Sequence, residues 1–407
     1  MTVFDPERLS PHGLAVAPAD IAAATFARAF APTRSPLVLT PCDSTGWFGG
    51  AELVCIDPAL EEAATIGEAA SILETVMRSQ ERMVAAAVLP YEGTARVRLY
   101  RGGYVRTAGG WRAWGDVDAQ LIVPPPLASS SEPLLTSPAF DMDKAAYIDG
   151  VRAVQDAITA GDVYVLNLTV RVSGIPSLQP LDAFERLTNS SAGPMSALWV
   201  DGRRSVVSVS PERFVAISGS VGAQAAEVWP IKGTRARGAD PETDLKLAAE
   251  LSEDEKERAE HLMIVDLERN DLGRVCVPGS ITVDPLFEVF ATPYCHQLVS
   301  RVVGTLRPDV TSGDVLTAAF PCGSVTGAPK VAAMRLIESL EASRRGVYTG
   351  SLMVAMPGWL DSSVLIRTLE YDGPVARWGT GCGITIDSNP DAEWEEALLK
   401  ANPVLGG

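Results

Sequence analysis

The order of helix-type and strand-type segments restricts the fold of this chain more than any other feature. A helical pattern runs from Lys144 to Thr159 and ends at Gly161. Strand-type runs follow it, without regular alternation with helices, at residues 163–172, 196–200, 205–209 and 213–217. This order predicts an α+β (mixed α/β) fold in which large antiparallel or mixed β-sheets are flanked by helices.

A segment rich in proline and serine divides the chain. Val123–Ala139 reads VPPPLASSSEPLLTSPA and has neither strand-type nor helix-type periodicity, so we interpret it as a linker. Residues 1–122 then form an N-terminal α/β region, and residues 140–407 form the domain that carries the motifs described below. In the N-terminal region, Ala15–Phe30 is predicted to be helical, and Met83–Leu89 and Ala95–Arg101 are predicted to be strands.

The charge balance and the histidine content limit the partners. The chain has 51 acidic and 34 basic residues, a net charge of −17, which disfavours nucleic acid and an anionic membrane as main partners. Only 3 histidines are present, so a metal would be held by carboxylates. The 6 cysteines show no CxxC spacing, and the apolar runs are shorter than a membrane span, so we expect a cytoplasmic protein.

A basic segment in this acidic chain is the first candidate site. Pro230–Gly238 reads PIKGTRARG and places 3 cations within 6 residues. Taken alone, the segment fits a basic surface turn about as well as an anion-binding site. Lys232 lies between Ile231 and Gly233, and a lysine in an apolar context can act as a nucleophile.

Glu250–Arg274 is the first of two acidic segments. Glu253, Glu257 and Glu260 have the spacing of residues on one helix face. A solvated helix is the commoner explanation for such a charge run. The apolar residues 262–265 follow directly, however, so we expect Glu260 at the edge of the core.

The second acidic segment is a predicted helix near the end of the sequence. Asn389 is expected to cap it, with Pro390 at its first position. One face of the helix carries Glu393, Glu396 and Lys400. A surface stripe of this kind is common, but together with Glu257 and Glu260 of the first acidic segment it supplies four carboxylates. Four carboxylates are enough for a Mg²⁺ ion that also binds an anionic substrate.

Two further segments are candidate anion sites. Phe320–Lys330 reads FPCGSVTGAPK and precedes a predicted helix, where backbone amides bind anions. Ala328 follows Gly327 where a Walker A loop has lysine, so a phosphate-transferring enzyme is disfavoured. Tyr348 and Arg367 are candidate carboxylate binders near the glycine-rich segment WGTGCGITIDS.

Eight motifs together resemble one known family, the chorismate-utilising enzymes. In order, they are PIKGTRARG, AEHLMIVDLERNDLGRV, HQLVSRVVG, PCGSVTGAPK, GVYTGS, IRTLEY, GTGCGITIDS and EWEEALLKA. The family includes component I of anthranilate synthase and of aminodeoxychorismate synthase, and the isochorismate and salicylate synthases. The resemblance covers Tyr147–Leu405. It implies an anthranilate synthase component I-like fold, with residues 140–407 as a chorismate-binding catalytic domain.

The resemblance also implies a role for each matching residue. Two glutamates on two helices bind Mg²⁺ in this family, and they match Glu260 and Glu396, with Glu257 and Glu393 beside them. The matching catalytic positions are Lys232, Glu212 and His296. The matching substrate-binding positions are Gly233, Thr234, Ser324, Thr326, Tyr348, Arg367, Gly381, Gly383 and Lys400.

Two positions distinguish the subfamilies. Lys232 stands in a PIKGT motif, which resembles that of the aminodeoxychorismate synthases. The anthranilate, isochorismate and salicylate synthases have PIAGT or PLAGT at this position. Val165 stands where the isochorismate-type enzymes have a water-activating lysine. The resemblance therefore implies amination of chorismate at C4, through a covalent Lys232 intermediate, to 4-amino-4-deoxychorismate for 4-aminobenzoate and folate synthesis.

The resemblance further implies a partner and leaves alternatives. No glutaminase-like nucleophile elbow can be assembled from the sequence, so we expect ammonia from a separate glutamine amidotransferase subunit. Thr380, Cys382 and Ala397 depart from the family pattern and are expected to trim the pocket. Anthranilate synthase component I, which aminates at C2 with loss of pyruvate, remains an alternative, as does a non-catalytic chorismate-binding subunit.

Overall fold

The computed structural model of the chain describes residues 5, 6, 9, 15–30, 34–117, 132–202, 204–220, 222–292 and 295–406. Part of the predicted linker, residues 123–131, lies outside the described residues. Within the described ranges the α-helices are α1 (Ala23–Ala27), α2 (Ile66–Arg78), α3 (Lys144–Ala160), α4 (Pro180–Ser191), α5 (Pro241–Glu253), α6 (Glu255–Gly273), α7 (Ser312–Ala319), α8 (Lys330–Leu340) and α9 (Pro390–Leu405).

The strands lie in both halves of the chain. They are β1 (Ala15–Ala17), β2 (Leu37–Leu39), β3 (Leu53–Cys55), β4 (Leu60–Ala64), β5 (Val84–Leu89), β6 (Ala95–Tyr100), β7 (Gly102–Thr107), β8 (Gly110–Gly115), β9 (Leu135–Phe140), β10 (Val165–Pro176), β11 (Met195–Trp199), β12 (Val206–Ser210), β13 (Ala216–Ser218), β14 (Ala225–Val228), β15 (Ile231–Ala236), β16 (Thr282–Val283), β17 (Glu288–Ala291), β18 (Cys295–Val299), β19 (Val302–Thr305), β20 (Gly327–Ala328), β21 (Ser351–Met356), β22 (Trp359–Val364), β23 (Thr368–Asp372) and β24 (Val375–Ile384).

These strands form two large sheets and one small sheet. The 12-stranded sheet has the order β1-β8-β7-β3-β2-β11-β12-β23-β24-β10-β20, with β9 also paired to β10. The 9-stranded sheet has the order β16-β19-β14-β13-β22-β21-β5-β6-β4, and the 3-stranded sheet has the order β15-β18-β17. Adjacent strands are antiparallel, for example β10 with β24 and β5 with β21, which agrees with the predicted fold class.

Alternation along the strands explains how the sheets pack. In β5, Val84, Ala86 and Val88 join an apolar cluster that also contains Trp199 of the 12-stranded sheet. The alternate residues Ala85, Ala87 and Leu89 join a different cluster with helices α2, α6 and α7. A strand that is apolar on both faces must be covered on both sides. The two large sheets therefore stack face to face, and helices cover the outer face of each.

The sheets cross the boundary that the sequence predicts between two regions. Strands β1, β2, β3, β7 and β8 precede that boundary, yet they share the 12-stranded sheet with strands that follow it. Residues 132–139 of the predicted linker are described, and Leu135–Phe140 is strand β9, which pairs with β10. Ala15–Phe30 also differs from the prediction, because it contains strand β1 and the short helix α1 instead of one helix.

Other local predictions hold. The predicted helix at 144–159 is α3, and the predicted strands at Met83–Leu89 and Ala95–Arg101 are β5 and β6. Asn389 caps α9, since its Oδ1 accepts hydrogen bonds of 3.1 Å from the backbone N–H groups of Asp391 and Ala392. No helix in the described ranges combines the length and apolar character that a membrane span requires.

Candidate active site

A bulge in strand β15 directs Lys232 towards helix α6. The pairing of β15 with β18 shifts register between Lys232 and Thr234, and Gly233 lies in the left-handed region with φ of 73°. Glycine adopts this conformation without the strain that a Cβ imposes. Lys232 is half-buried. Among the described residues, none forms a hydrogen bond or an ion pair with its ammonium group.

The ammonium group of Lys232 lies against strand β24. A Cβ atom added to Gly383 would be 3.1 Å from Lys232 Nζ and 4.0 Å from Val165 Cγ2. Lys232 and Val165 therefore approach the same glycine. Val165 is buried in β10 and carries no proton acceptor or donor.

Glu212 is the buried carboxyl group that faces Lys232. It is 3% exposed, and it lies in the segment between β12 and β13. Burial raises the pKa of Glu212 to about 7, although a hydrogen bond from Ser324, the charge of Lys232 and the Ile231 backbone act in the opposite direction. A carboxyl group with this pKa can be protonated near neutral pH and can act as a general acid.

Helix α6 brings two more carboxylates to this place. Burial raises the pKa of Glu260, the charge of Lys232 lowers it, and the charges of Glu257 and Glu393 raise it. Glu257 pairs with Arg235, with Oε1 and Nη1 3.3 Å apart. The predicted common face of α6 does not include Glu253, because Asp254 caps the start of α6 and Glu253 ends the preceding helix.

Helix α9 supplies the opposite carboxylates. Ligand atoms of Glu393, Glu396 and Cys382 lie within 4.8 Å of one another. Lys400 Nζ lies 2.7 Å from Glu396 Oε1 and donates a 3.0 Å hydrogen bond to the carbonyl oxygen of Gly381. Burial raises the pKa of Glu396, but the charge and hydrogen bond of Lys400 outweigh that effect, so the pKa is lowered.

The glutamates of α6 and α9 suit a hard cation. Glu260 feels the charge of Glu393 across the site, and Glu260 and Glu396 both feel the charge of Lys232. Like charges collected from two helices repel each other, and a divalent cation with oxygen ligands relieves that repulsion. The Cys382 thiol is a soft ligand and is not needed for such an ion.

Tyr348, Arg367 and Lys400 provide groups that can bind carboxylates. Tyr348 is buried, and a Cβ at Gly379 would lie 2.2 Å from its ring, so the ring packs directly on β24. Burial raises the pKa of Tyr348 to about 12, which keeps its hydroxyl group a donor. Arg367 is half-buried and its guanidinium has no hydrogen-bond partner in the part of the chain that the structure describes. The pKa of Lys400 is raised, because the charges of Cys382 and Glu396 outweigh burial.

The loop between α7 and β20, which contains Ser324 and Thr326, lies near Glu212. Ser324 Oγ lies 3.3 Å from Cys322 Sγ, and Ser324 lowers the pKa of Glu212. Thr326 Oγ1 donates a 2.9 Å hydrogen bond to the carbonyl oxygen of Cys322, so this hydroxyl proton is used within the loop. Arg345 Nη1 holds the loop by a 2.6 Å hydrogen bond to the Val325 carbonyl oxygen.

The described contacts of two predicted site residues, His296 and Thr234, are with residues outside the carboxylate cluster. His296 Nε2 lies 2.8 Å from Asp244 Oδ1, and Asp244 is also bound by Arg237. In the described contacts, His296 meets neither Lys232 nor a carboxylate of the site. Thr234 is exposed, and its carbonyl oxygen accepts a 3.1 Å hydrogen bond from Arg235.

Sequence reasoning missed two buried groups near the site. His261 follows Glu260 in α6, and burial lowers the pKa of His261 to about 4, with a smaller contribution from the charge of Lys232. Glu268 lies farther along α6 and is 4% exposed. The signal for His261 was present in the sequence, since it borders the apolar run 262–265, whereas Glu268 lies in the charged stretch DLERND and only the packing shows its burial.

Comparison of the sequence with known proteins identifies relatives of this chain. The family described as "chorismate binding enzyme" matches residues 78–406. Aminodeoxychorismate synthase component 1 of Salmonella typhimurium is 40% identical over 267 residues, which are 65% of this chain and 58% of that protein. Anthranilate synthase component 1 of Synechocystis is 38% identical over 302 residues, which are 70% of this chain and 59% of that protein.

A solved structure has the same fold. The crystal structure of anthranilate synthase component I from Streptococcus pneumoniae superposes with a TM-score of 0.76 at 25% sequence identity, covering 87% of this chain and 92% of that chain. The chain spans a little over half the length of the two relatives named above. Because the family match extends over most of the chain, including every segment that contributes to the site, the chain belongs to the chorismate binding enzyme family.

Proposed function

We propose that this chain is component I of an aminodeoxychorismate synthase, which replaces the C4 hydroxyl group of chorismate with an amino group. The observation that carries the proposal is the position of Lys232. Its ammonium group has no ion-pair partner in the described part of the chain, and its charge acts on Glu212, Glu260 and Glu396. A nucleophile, a buried acid and a carboxylate cluster are thus close together.

The cationic and hydroxyl groups match an anionic substrate. Chorismate carries two carboxylates, and Arg367, Tyr348 and Lys400 are the groups that would bind them. The glycines at positions 233, 381 and 383 would let the ring approach the backbone closely, as would the loop that contains Ser324 and Thr326.

Mg²⁺ is part of the proposal. Glu260 and Glu396 would hold the ion, with Glu257 and Glu393 beside them, because hard carboxylate oxygens are the ligands that Mg²⁺ prefers. When bound, the ion would neutralise charge on the ring carboxylate and orient it. Residues of this chain would perform the remaining steps.

The first displacement uses Lys232 and Glu212. Lys232 first releases its ammonium proton to solvent, and the free amine then attacks C2 of chorismate and forms a C–N bond. The ring double bond shifts, the C4–O bond breaks, and Glu212 gives its proton to the departing oxygen, which leaves as water. The buried carboxyl group of Glu212, with its pKa raised to about 7, suits that donor role.

The second displacement reverses the first. Ammonia attacks C4, the double bond shifts back, and the C2–N bond to Lys232 breaks. Cleavage of the C2–N bond restores the Lys232 amine, and the new C4 ammonium group returns one proton to the Glu212 carboxylate. The net reaction joins chorismate and ammonia to give 4-amino-4-deoxychorismate and water, with the pyruvyl side chain retained.

The same proposal includes a partner and a pathway. A separate glutamine amidotransferase subunit would supply ammonia, and the product would serve 4-aminobenzoate and folate synthesis. The name "component 1" of the Salmonella relative supports an assembly of more than one component.

Val165 argues against addition of water at C2. Its aliphatic side chain lies near Gly383, beside Lys232, and cannot remove a proton from water. Amination at C2 with loss of pyruvate is the other reaction to test, because an anthranilate synthase component is also among the relatives.

Product identification tests the proposal. The purified chain is incubated with chorismate, an ammonium salt and Mg²⁺, and the product is identified by mass spectrometry. A product that retains the pyruvyl group and has gained the amino group supports it. Fluorescent anthranilate together with free pyruvate would assign the C2 reaction, and unchanged chorismate would favour a non-catalytic binding role.

A further inference from the structure

A second buried carboxyl group lies next to Glu212. One carboxyl oxygen of Glu212, one of Glu268 and the Cys322 sulfur lie within 4.8 Å of one another, and all three side chains are buried. In the described part of the chain, Glu212 Oε1 and Glu268 Oε2 are buried without a hydrogen-bond partner. Two neighbouring carboxyl groups, each with one unused oxygen, are therefore enclosed in the core.

The other described interactions of Glu212 and Glu268 do not occupy Glu212 Oε1 or Glu268 Oε2. Ser324 and the Ile231 backbone lie close enough to the Glu212 carboxyl group to lower its pKa. The Cys322 thiol donates to Glu268 Oε1 over 3.4 Å. The terminal torsion of a glutamate side chain is broad. A small rotation can therefore bring Oε1 of Glu212 and Oε2 of Glu268 to hydrogen-bond distance, provided that one of them carries a proton.

The charged groups around the pair do not neutralise Glu268. Lys330, at the start of α8, lies 2.6 Å from Asp271 Oδ2 and donates a further 2.6 Å hydrogen bond to the Ala319 carbonyl oxygen. Lys232 faces Glu212 from β15, and Cys322 faces both carboxyl groups from the loop after α7. No ion pair joins Glu268 to a cation in the residues that the structure describes.

Two buried carboxylates without a paired cation cannot both be ionised at neutral pH. Burial and the charge of Glu212 raise the pKa of Glu268 well above its usual range, whereas burial raises the pKa of Glu212 to about 7. The proton that remains at neutral pH is therefore held mainly by Glu268.

We propose that Glu268 is a positioning residue for the acid step: it stays a neutral carboxylic acid and donates a hydrogen bond to Glu212 as Glu212 becomes a carboxylate. This inference rests on the proposed function, in which Glu212 gives its proton to the departing hydroxyl group. Glu268 keeps its own proton throughout, so the proton balance of the reaction is unchanged. The hydrogen bond favours the charged form of Glu212 and so lowers the barrier to proton donation.

A pair of substitutions separates this role from a merely structural one. Glu268→Met keeps the approximate size of the side chain and removes the donor, whereas Glu268→Gln keeps a donor in its amide group. Loss of a donor to the carboxylate raises the pKa of Glu212. We expect the alkaline limb of the kcat profile to move up by about one pH unit in the Met variant, with kcat about tenfold lower. The Gln variant should restore most of kcat and most of the original pH dependence.

The direction in which the alkaline limb of the kcat–pH profile moves distinguishes a protonated Glu268 from an ionised one. If Glu268 were ionised in the working enzyme, its removal would lower the pKa of Glu212 and move the alkaline limb down. A downward shift or an unmoved limb in the Met variant would overturn the inference. Glu185→Gln, which changes a buried glutamate bound to Thr25 and Arg28, is the matched control and should leave the limb in place.

A measurement without substrate distinguishes a failure of this inference from a failure of the proposed function. Infrared absorption of protonated carboxyl groups is recorded at about pH 9, above the pKa of Glu212. The unsubstituted protein should retain a protonated carboxyl signal that is absent from both Glu268 variants. An identical signal in all three proteins would refute the inference, even if the product assay with chorismate succeeds. Thermal unfolding of each variant establishes that it is folded.

Discussion

A Cβ atom at Gly383 would lie only 3.1 Å from the ammonium nitrogen of Lys232. The two residues come from different sheets, β24 of the 12-stranded sheet and β15 of the 3-stranded sheet. The lysine therefore reaches the site because the facing strand carries a glycine at this position. The same strand binds Lys400 through the carbonyl oxygen of Gly381.

Gly383→Ala should reduce activity while leaving the fold intact. The new methyl group would displace the flexible end of Lys232, and a nucleophile shifted by about 1 Å loses about a hundredfold in rate. Steady-state kinetics and thermal unfolding measure the two effects. Gly67→Ala, at a helix position where nothing lies within 4 Å, is the control and should leave the rate unchanged. Equal activity of the two variants would contradict the placement of Lys232.

Lys232→Ala should lower amination at C4 by about a thousandfold or more, because it removes the nucleophile of the proposed mechanism. The measurement is kcat with ammonium as the nitrogen source. Lys246→Ala is a suitable control that should keep kcat, since Lys246 is exposed and its ion pair, at 3.8 Å, is with Glu250. An unchanged product and rate in the Lys232 variant would exclude the covalent step.

Glu212→Gln should lower kcat by about 10²- to 10⁴-fold, the usual contribution of a general acid. Glu212 donates a proton only in its acid form, so activity should be full below its pKa of about 7 and decline as the pH rises through that value. The residual activity of the Gln variant should lack this alkaline decline. A decline that persists in the variant would assign the titration to another group.

Glu396→Gln should weaken Mg²⁺ binding by at least about tenfold, because a neutral amide replaces a carboxylate ligand. Isothermal titration of the protein with Mg²⁺ measures this without substrate. Glu395→Gln is the matched control, since Glu395 is one position away and pairs with Lys144 at 3.3 Å instead of facing the site. Equal affinities in the two variants would place the metal elsewhere.

Asp361→Ala should destabilise the whole chain by about 3–5 kcal/mol, as expected when one partner of a buried ion pair is removed. Asp361 Oδ1 lies 2.8 Å from Arg213 Nε, and its carboxylate also accepts a 2.7 Å hydrogen bond from the Phe48 backbone. Denaturant unfolding measures the loss. Asp149→Ala, in an exposed pair with Arg152, should change the free energy of unfolding by less than about 0.5 kcal/mol.

Local chemistry made many elements predictable. The cap of α9 follows from Asn389 and Pro390, because a side-chain oxygen before a proline satisfies the free N–H groups of a helix start. The i,i+4 spacing of Glu396 and Lys400 on this helix predicted their contact, and they lie 2.7 Å apart. These interactions involve residues close in sequence and need no knowledge of the rest of the fold.

Local patterns failed where a distant segment decides the structure. The spacing of Glu253, Glu257 and Glu260 fits one helix, but Asp254 caps a new helix between them. The place of His296 near the substrate ring stays a prediction, and the sequence did not indicate that its Nε2 lies 2.8 Å from Asp244 Oδ1. A run of charges does not specify which strand or helix will pack against it.

The sequence by itself determined the residue types of the site, the caps and periodicities of its helices and strands, and the family motifs that contain them. Only the tertiary structure decided that the charge of Lys232 acts on Glu212, Glu260 and Glu396. It also decided that Glu268 is buried beside Glu212 with an oxygen left free. The physical reason is that apolar periodicity tells which face of an element is buried but not what covers it. Long-range packing makes that choice, and with it the pKa and the partner of each buried carboxyl group.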